Sequence, residues 1–123
     1  MEVLLDSSFI ISCLVKKIDF LSQLKEKGFK VVIPREVIQE LKDLTTKKEL
    51  SHEERTAIKI GLELFSAKGV KKIGFGEKKV DEMLIKKGKE GVYIATLDNG
   101  IKRQVKNKII IQSAKKEIGI ERS

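Results

Sequence analysis

Four carboxylates stand where the hydrophobic patterning of the chain changes: Asp6, Glu40, Asp81 and Asp98. Asp6 directly follows the apolar run Val3-Leu4-Leu5. Asp98 follows Val92-Tyr93-Ile94-Ala95-Thr96, with only Leu97 between. Glu40 comes after a second run, Val31-Val32-Ile33, and Asp81 opens a helical stretch ahead of the run ending at Thr96. Carboxylates gathered at one edge repel one another unless positive charge sits between them. The hard, oxygen-seeking ions Mg2+ and Mn2+ suit that place. One or two of them can activate a water, neutralise a phosphodiester and stabilise a leaving oxygen. Each acid also has a plainer reading. Asp6 and Asp98 stand where Asp commonly caps a helix, and Glu40 and Asp81 suit ordinary solvated helix surface. The argument for chemistry rests on the set and its order.

The elements that must position these acids follow from periodicity. Val3–Leu5 reads as a strand stopped by Asp6-Ser7-Ser8, good capping residues, with a short helix from Ser7 to about Val15. Phe20, Leu21 and Leu24 mark a helix over Asp19–Lys27 that Gly28 ends. Val31–Ile33 is a buried strand, and Pro34 takes the first position of the next helix, which runs to about Leu44 on the face of Val37, Ile38 and Leu41. Ser51-His52-Glu53-Glu54 has the form of a capping box, opening a helix that stops near Gly69. A weak strand over Val70–Ile73 leads into a Gly74-Phe75-Gly76 loop. Lys79–Lys87 is helical with Gly88 after it, Val92–Thr96 is a strand, Asp98 to about Val105 a helix, and Ile109–Ile111 the last strand. Continuous apolar runs alternating with helices indicate a parallel sheet covered on both faces. The expected fold is α/β: a doubly wound, five-stranded parallel sheet with helices on both faces, spanning residues 1–112, followed by a charged tail over residues 113–123. Reactive sites of such sheets lie outside the carboxyl ends of the strands.

The 123 residues fit one domain, and 41% hydrophobic residues support a core built from Ile, Leu and Val, since there are only five Phe, one Tyr and no Trp. Lys and Arg number 26 against 18 acids, a formal charge of +8 that favours polyanionic partners. Lys102, Arg103, Lys106, Lys108, Lys115 and Lys116 form a run without an intervening acid, suited either to gripping a nucleic-acid backbone or to plain solvation. The lone Cys13 excludes an intramolecular disulfide and a cysteine-rich zinc site, and its apolar neighbours mark it as a packing residue. The single histidine, His52, sits in a helix's first turn and is expected to be exposed. No apolar run approaches the ~18 residues of a membrane span, and no basic leader precedes Asp6, so a cytoplasmic location is expected. Other phosphate enzymes fit poorly. Position 8 is Ser8, where a haloacid-dehalogenase-type phosphatase needs Asp, and the glycines at 74 and 76 lack the third member of a dinucleotide loop.

The ordered set resembles the PIN-domain family. The matching pieces are Val3-Leu4-Leu5-Asp6-Ser7-Ser8; Ile33-Pro34 with Val37-Ile38-Gln39-Glu40-Leu41; Val80-Asp81-Glu82-Met83-Leu84-Ile85; and Ile94-Ala95-Thr96-Leu97-Asp98-Asn99-Gly100-Ile101-Lys102-Arg103. The last piece is most similar to the ribosomal-RNA-processing PIN branch and its archaeal relatives. The resemblance implies a metal-dependent (Mg2+ or Mn2+) endoribonuclease acting in RNA processing or ribosome assembly. Asp6, Glu40, Asp81 and Asp98 would then hold the metal, Ser7, Thr96 and Asn99 would support it, and Lys102, Arg103 and Lys106 would contact RNA. Two other roles stay open: an RNA-binding scaffold with little catalysis, and a toxin-type ribonuclease restrained by an antitoxin. A homodimer is expected by analogy with PIN relatives.

Overall fold

The computed structural model describes residues 1–122. In chain order the elements are β1 (Glu2–Leu5), α1 (Ser7–Val15), α2 (Phe20–Glu26), β2 (Lys30–Pro34), α3 (Arg35–Leu44), α4 (His52–Ala67), β3 (Lys71–Ile73), α5 (Val80–Lys89), β4 (Tyr93–Ala95), α6 (Asn99–Lys102), β5 (Asn107–Gln112), a 3-10 turn (Ser113–Lys115) and β6 (Glu117–Arg122). One sheet contains six strands in the order β3-β2-β1-β4-β5-β6. The first five are parallel, with Leu4 opposite both Val32 and Ile94 and Leu5 opposite Ala95.

The winding explains which helices lie on which face. From β1 the chain steps outward to β2 and β3, then returns past β1 to β4 and on to β5. Crossovers between parallel strands are right-handed, so reversing direction moves the connecting helices to the opposite face. The buried side chains divide accordingly. Val3, Leu5, Ile33 and Ala95 point into a core with Phe9, Phe20, Leu41, Ile58 and Phe65, from α1 to α4. Leu4, Val32 and Ile94 point the other way, onto Leu84 of α5 and Ile101 of α6, with Phe75 and Val105. Alternate residues of each strand therefore serve different cores, which is why these runs are apolar throughout. Cys13 lies in the first core, and burial pushes its thiol up to about 12, as befits a packing residue. No helix among the described residues is long and apolar enough to cross a membrane.

In four details the structure departs from what local pattern predicts. The segment expected as a charged tail, residues 113–123, supplies a sixth strand: β6 pairs antiparallel with β5 from Asn107↔Arg122 to Gln112↔Glu117, while Ser123 lies outside the described residues. Its charges mask a half-buried strand whose Ile118 enters the core. Gln23 of α2 ties it down, accepting from the Ile118 N–H (2.8 Å) and donating to the Lys116 carbonyl (3.2 Å). Pro34 is the last residue of β2 and caps α3 in an extended conformation (ψ 138°) instead of opening the helix. Helix α6 is one turn long, because the chain after it delivers Val105 to the second core. Gly88 lies inside α5, and the left-handed residue beyond the helix is Gly91 (φ 101°).

Gly88 is there for closeness, not for stopping the helix. A Cβ on it would stand 2.1 Å from Cγ1 and 2.5 Å from Cβ of Val105. Val105 is buried and its Cβ is fixed to the backbone, so no change of rotamer removes the clash. Gly88→Ala improves helix propensity by about 1 kcal/mol yet should still be net destabilising, since overpacking costs about 1–3 kcal/mol. Urea denaturation should show the midpoint falling, and a midpoint that rises would mean that α5 and Val105 are not in contact.

Candidate active site at the sheet's switch point

The winding reverses between β1 and β4, and the edge outside their carboxyl ends is the place where doubly wound sheets bind ligands. Asp6 sits there at the head of α1, at the centre of the sheet. Its backbone N–H extends the ladder to the Ala95 carbonyl (2.9 Å), fixing it against β4. The residue is only 9% exposed, and both carboxylate oxygens are engaged. One accepts from the Ser7 N–H (2.9 Å), as a helix cap, and the other from the Thr96 hydroxyl (2.8 Å).

Thr96 is the hub of this edge and is 1% exposed. With its proton given to Asp6, its oxygen accepts from the Asp98 N–H (3.2 Å). The Ser8 hydroxyl stands 3.4 Å from the same oxygen. Since the Thr96 proton is committed, Ser8 must be the donor there, while its own oxygen accepts from the Leu97 N–H (3.1 Å). A threonine hydroxyl has one proton and two lone pairs, and all three are used. The segment Thr96-Leu97-Asp98 is thus fastened to the start of α1. Asp98 then caps α6 by accepting from the Ile101 N–H (3.1 Å).

The other two acids approach from opposite faces of the sheet. Glu40 is exposed on the second turn of α3, and Asp81 is exposed in the first turn of α5, which runs antiparallel to the strands and so starts at their carboxyl edge. Their charges are felt at Asp6. Burial raises its carboxyl above the usual 3.8, the Thr96 and Ser7 hydrogen bonds pull it part of the way back, and the negative charges of Asp81 and Glu40 push it up again. Electrostatics thus joins Asp6, Asp81 and Glu40, whereas Asp98 is joined to Asp6 through the Thr96 hydroxyl.

From sequence, these four acids are expected to form a metal-holding cluster. Among the described residues, no group of three or more His, Cys, Asp or Glu side chains is placed so that it could hold a metal ion. Glu40, Asp81 and Asp98 are exposed, and one Asp98 oxygen is turned to its helix cap. The donor chemistry nevertheless suits a hard divalent cation. All the donors are oxygens, and the charges of Asp81 and Glu40 add to the burial that raises Asp6, a repulsion that a cation between them would relieve.

The remaining candidates are distributed around this edge. Ser7 is buried and contributes its N–H, while the hydroxyl that reaches Thr96 belongs to Ser8. Sequence could not choose between adjacent serines, because the choice depends on how α1 is turned against β4. Asn99 is exposed at the start of α6. Lys102 is half-buried, Arg103 and Lys106 are exposed, and His52 is exposed at the start of α4. Glu36 joins these residues without any local mark in the sequence. Its two carboxylate oxygens accept from the Phe75 N–H at 3.2 and 3.0 Å, bridging α3 to the loop after β3. A cleft of about 650 Å3 lies elsewhere, at the amino ends of β2 and β3, between Leu21, Lys25, Phe29, Lys30, Lys68 and Lys71.

The raised carboxyl of Asp6 fixes the sign of a pH effect. The folded state prefers the protonated form, so this group's contribution is full below the ordinary Asp range and is lost as pH rises through the raised folded value. The Asp6→Asn variant keeps one acceptor oxygen and no charge, so without divalent ion the melting temperature of the wild type relative to that variant should rise as pH is lowered from 7 towards 3.8. Thermal melts across that range check it. A difference that stays constant with pH would mean that the Asp6 carboxyl is not raised in the folded state.

A family model described as a PIN like domain matches residues 3–113. Among solved structures, one described as the PIN domain endonuclease Utp24 is similar over 99% of this chain and 92% of its own, with a TM-score of 0.72 and 20% sequence identity. No curated protein matches. At that identity the structural likeness speaks for the fold, and the family model, which spans almost the whole chain, speaks for ancestry. The chain belongs to the PIN-like domain family.

Proposed function

We propose that the protein is a metal-dependent endoribonuclease that hydrolyses RNA phosphodiester bonds in RNA processing or ribosome assembly. The observation that carries this reading is the buried Asp6 carboxylate at the switch point, fixed by Thr96 and repelled by Asp81 and Glu40. Asp6, Glu40, Asp81 and Asp98 would hold Mg2+ or Mn2+. Such an ion supplies positive charge against the phosphodiester and lowers the pKa of nearby water. The chain's own residues do the positioning. Thr96 orients the Asp6 carboxylate and holds the Asp98 backbone, and Ser8 keeps the intervening Leu97 in place. Lys102, Arg103 and Lys106 come immediately afterwards and present cations to substrate phosphates. The scarcity of exposed aromatic side chains argues against base stacking, and hence for recognition of backbone and shape over sequence.

One observation favours a second reading, an RNA-binding scaffold with little catalysis: among the described residues, the four acids do not stand as a ready-made ligand cage. A cleavage assay separates the two. Purified protein is incubated with structured and single-stranded RNA, with Mn2+, with Mg2+ or with chelator, beside Asp6→Asn and Asp98→Asn. The nuclease reading expects cleavage only with metal and a loss of at least about 100-fold in each variant, the upper end of what removing a partner around a metal costs. Binding without cleavage in the wild type, or undiminished cleavage in the variants, would make the scaffold the correct account. A triple variant, Lys102→Ala, Arg103→Ala and Lys106→Ala, should weaken RNA binding. It should flatten the plot of log affinity against log salt by about 0.7 for each single-strand phosphate that is no longer neutralised. An unchanged slope would place the RNA path elsewhere.

A further inference from the structure

Glu36 and Glu40 are four residues apart on α3 and so share one face of the helix. Only Glu40 is among the four acids, yet Glu36 makes the more specific contact. Both of its oxygens accept from the N–H of Phe75, 39 positions along the chain. Phe75 is anchored from the other side as well, because its ring is buried in the second core with Leu84 of α5. The loop over residues 74–79 is therefore held at this one residue by a hydrogen bond on one side and by packing on the other.

That loop leads directly into α5, with Asp81 in its first turn. The cap residue of α5, Lys79, makes no side-chain capping bond. The first turn is placed by the packing of Val80 against the core and by the anchor just upstream. Arg35 lies along the same loop, its guanidinium 3.5 Å from where a Cβ on Gly74 would stand. The head of α3 grips the loop that launches α5, while the next turn of α3 carries Glu40.

We propose that Glu36 is a positioning residue: by holding the Phe75 backbone it sets where Asp81 stands relative to Glu40 and Asp6. The proposal rests on the nuclease reading for its consequence in metal binding, and its geometry is independent of it. An acid in a helix's first turn also has an ordinary electrostatic use, opposing the helix dipole. The two roles make opposite demands on the side chain. Positioning needs an acceptor at full reach, which Gln keeps and Asp, one methylene shorter, loses. Dipole compensation needs charge, which Asp keeps and Gln loses.

The test uses the full chain with Glu36→Gln and Glu36→Asp, both mild enough to fold. Two quantities are read: hydrogen exchange, without metal, of the amides in residues 83–86, the first that α5 itself bonds, and Mn2+ affinity by electron paramagnetic resonance titration. Positioning expects Glu36→Asp to speed exchange in that turn by about tenfold or more, as losing a bond to a charged acceptor implies. It should also weaken Mn2+ binding about 10- to 100-fold, while Glu36→Gln stays near wild type in both. In the cleavage assay, kcat should fall in Glu36→Asp while KM for RNA holds. The reverse pattern, damage in Gln and none in Asp, overturns the proposal in favour of dipole compensation. Faster exchange with unchanged Mn2+ affinity also overturns it, leaving Glu36 a purely structural bond. A wild type that binds no Mn2+ sinks the nuclease reading itself, and the exchange pattern alone then decides whether Glu36 holds the first turn of α5.

Discussion

The hydrogen bond from Thr96 to Asp6 is the constraint around which the functional edge of this fold is arranged. A carboxylate at the end of a central strand has lost most of its water, and that loss favours its neutral form. The protein opposes this with two donors, a backbone N–H and one hydroxyl. The hydroxyl can do so only because Thr96 comes one residue beyond the Leu5↔Ala95 pairing, at the end of β4 and beside Asp6. The same oxygen then accepts the Asp98 N–H and stands beside Ser8, so a single threonine couples α1, β4 and α6.

Compensation is partial: the carboxyl stays raised although both oxygens accept hydrogen bonds. Asp81 and Glu40 add repulsion from opposite faces of the sheet, and burial remains the larger cause of the rise. The winding of the sheet is indispensable here. Because crossover helices change faces at the switch point, α3 and α5 bring their acids to the same edge from two sides.

Rigidity around the edge comes from packing that has nothing to do with charge. Strands apolar on both faces lock β1, β2 and β4 between two cores, so the carboxyl ends cannot shift in register without exposing a core residue. Gly88 lets α5 settle against Val105 and Ile94, and the Phe75 ring pins the loop that precedes it. The acids on the exposed sides of α3 and α5 are therefore presented by helices whose axes are fixed.

Much of this was written in the local sequence. Apolar runs such as Val3-Leu4-Leu5 and Val31-Val32-Ile33 declare buried parallel strands, because only strands covered on both faces are apolar at every position. Ser51 with Glu54 declares the start of α4, and the pair indeed bonds reciprocally. The order of the four acids declared the family, whose model covers residues 3–113. Other features are properties of distance in space and have no local mark. The edge strand β6 alternates weakly and hides among charges, and only pairing with β5 and the Gln23 clasp reveal it. Gly88 reads as a helix stop until Val105 is seen against it. The choice of Ser8 over Ser7, the turning of the Asp98 carboxylate to its cap and the reach of Glu36 to Phe75 depend on how elements far apart in sequence are oriented. Residue type and order determined the strands, helices and winding that carry the four acids, since patterning sets each of these. Which oxygen faces which donor was decided by tertiary packing alone, because a hydrogen bond is settled within a few tenths of an ångström and sequence spacing is not.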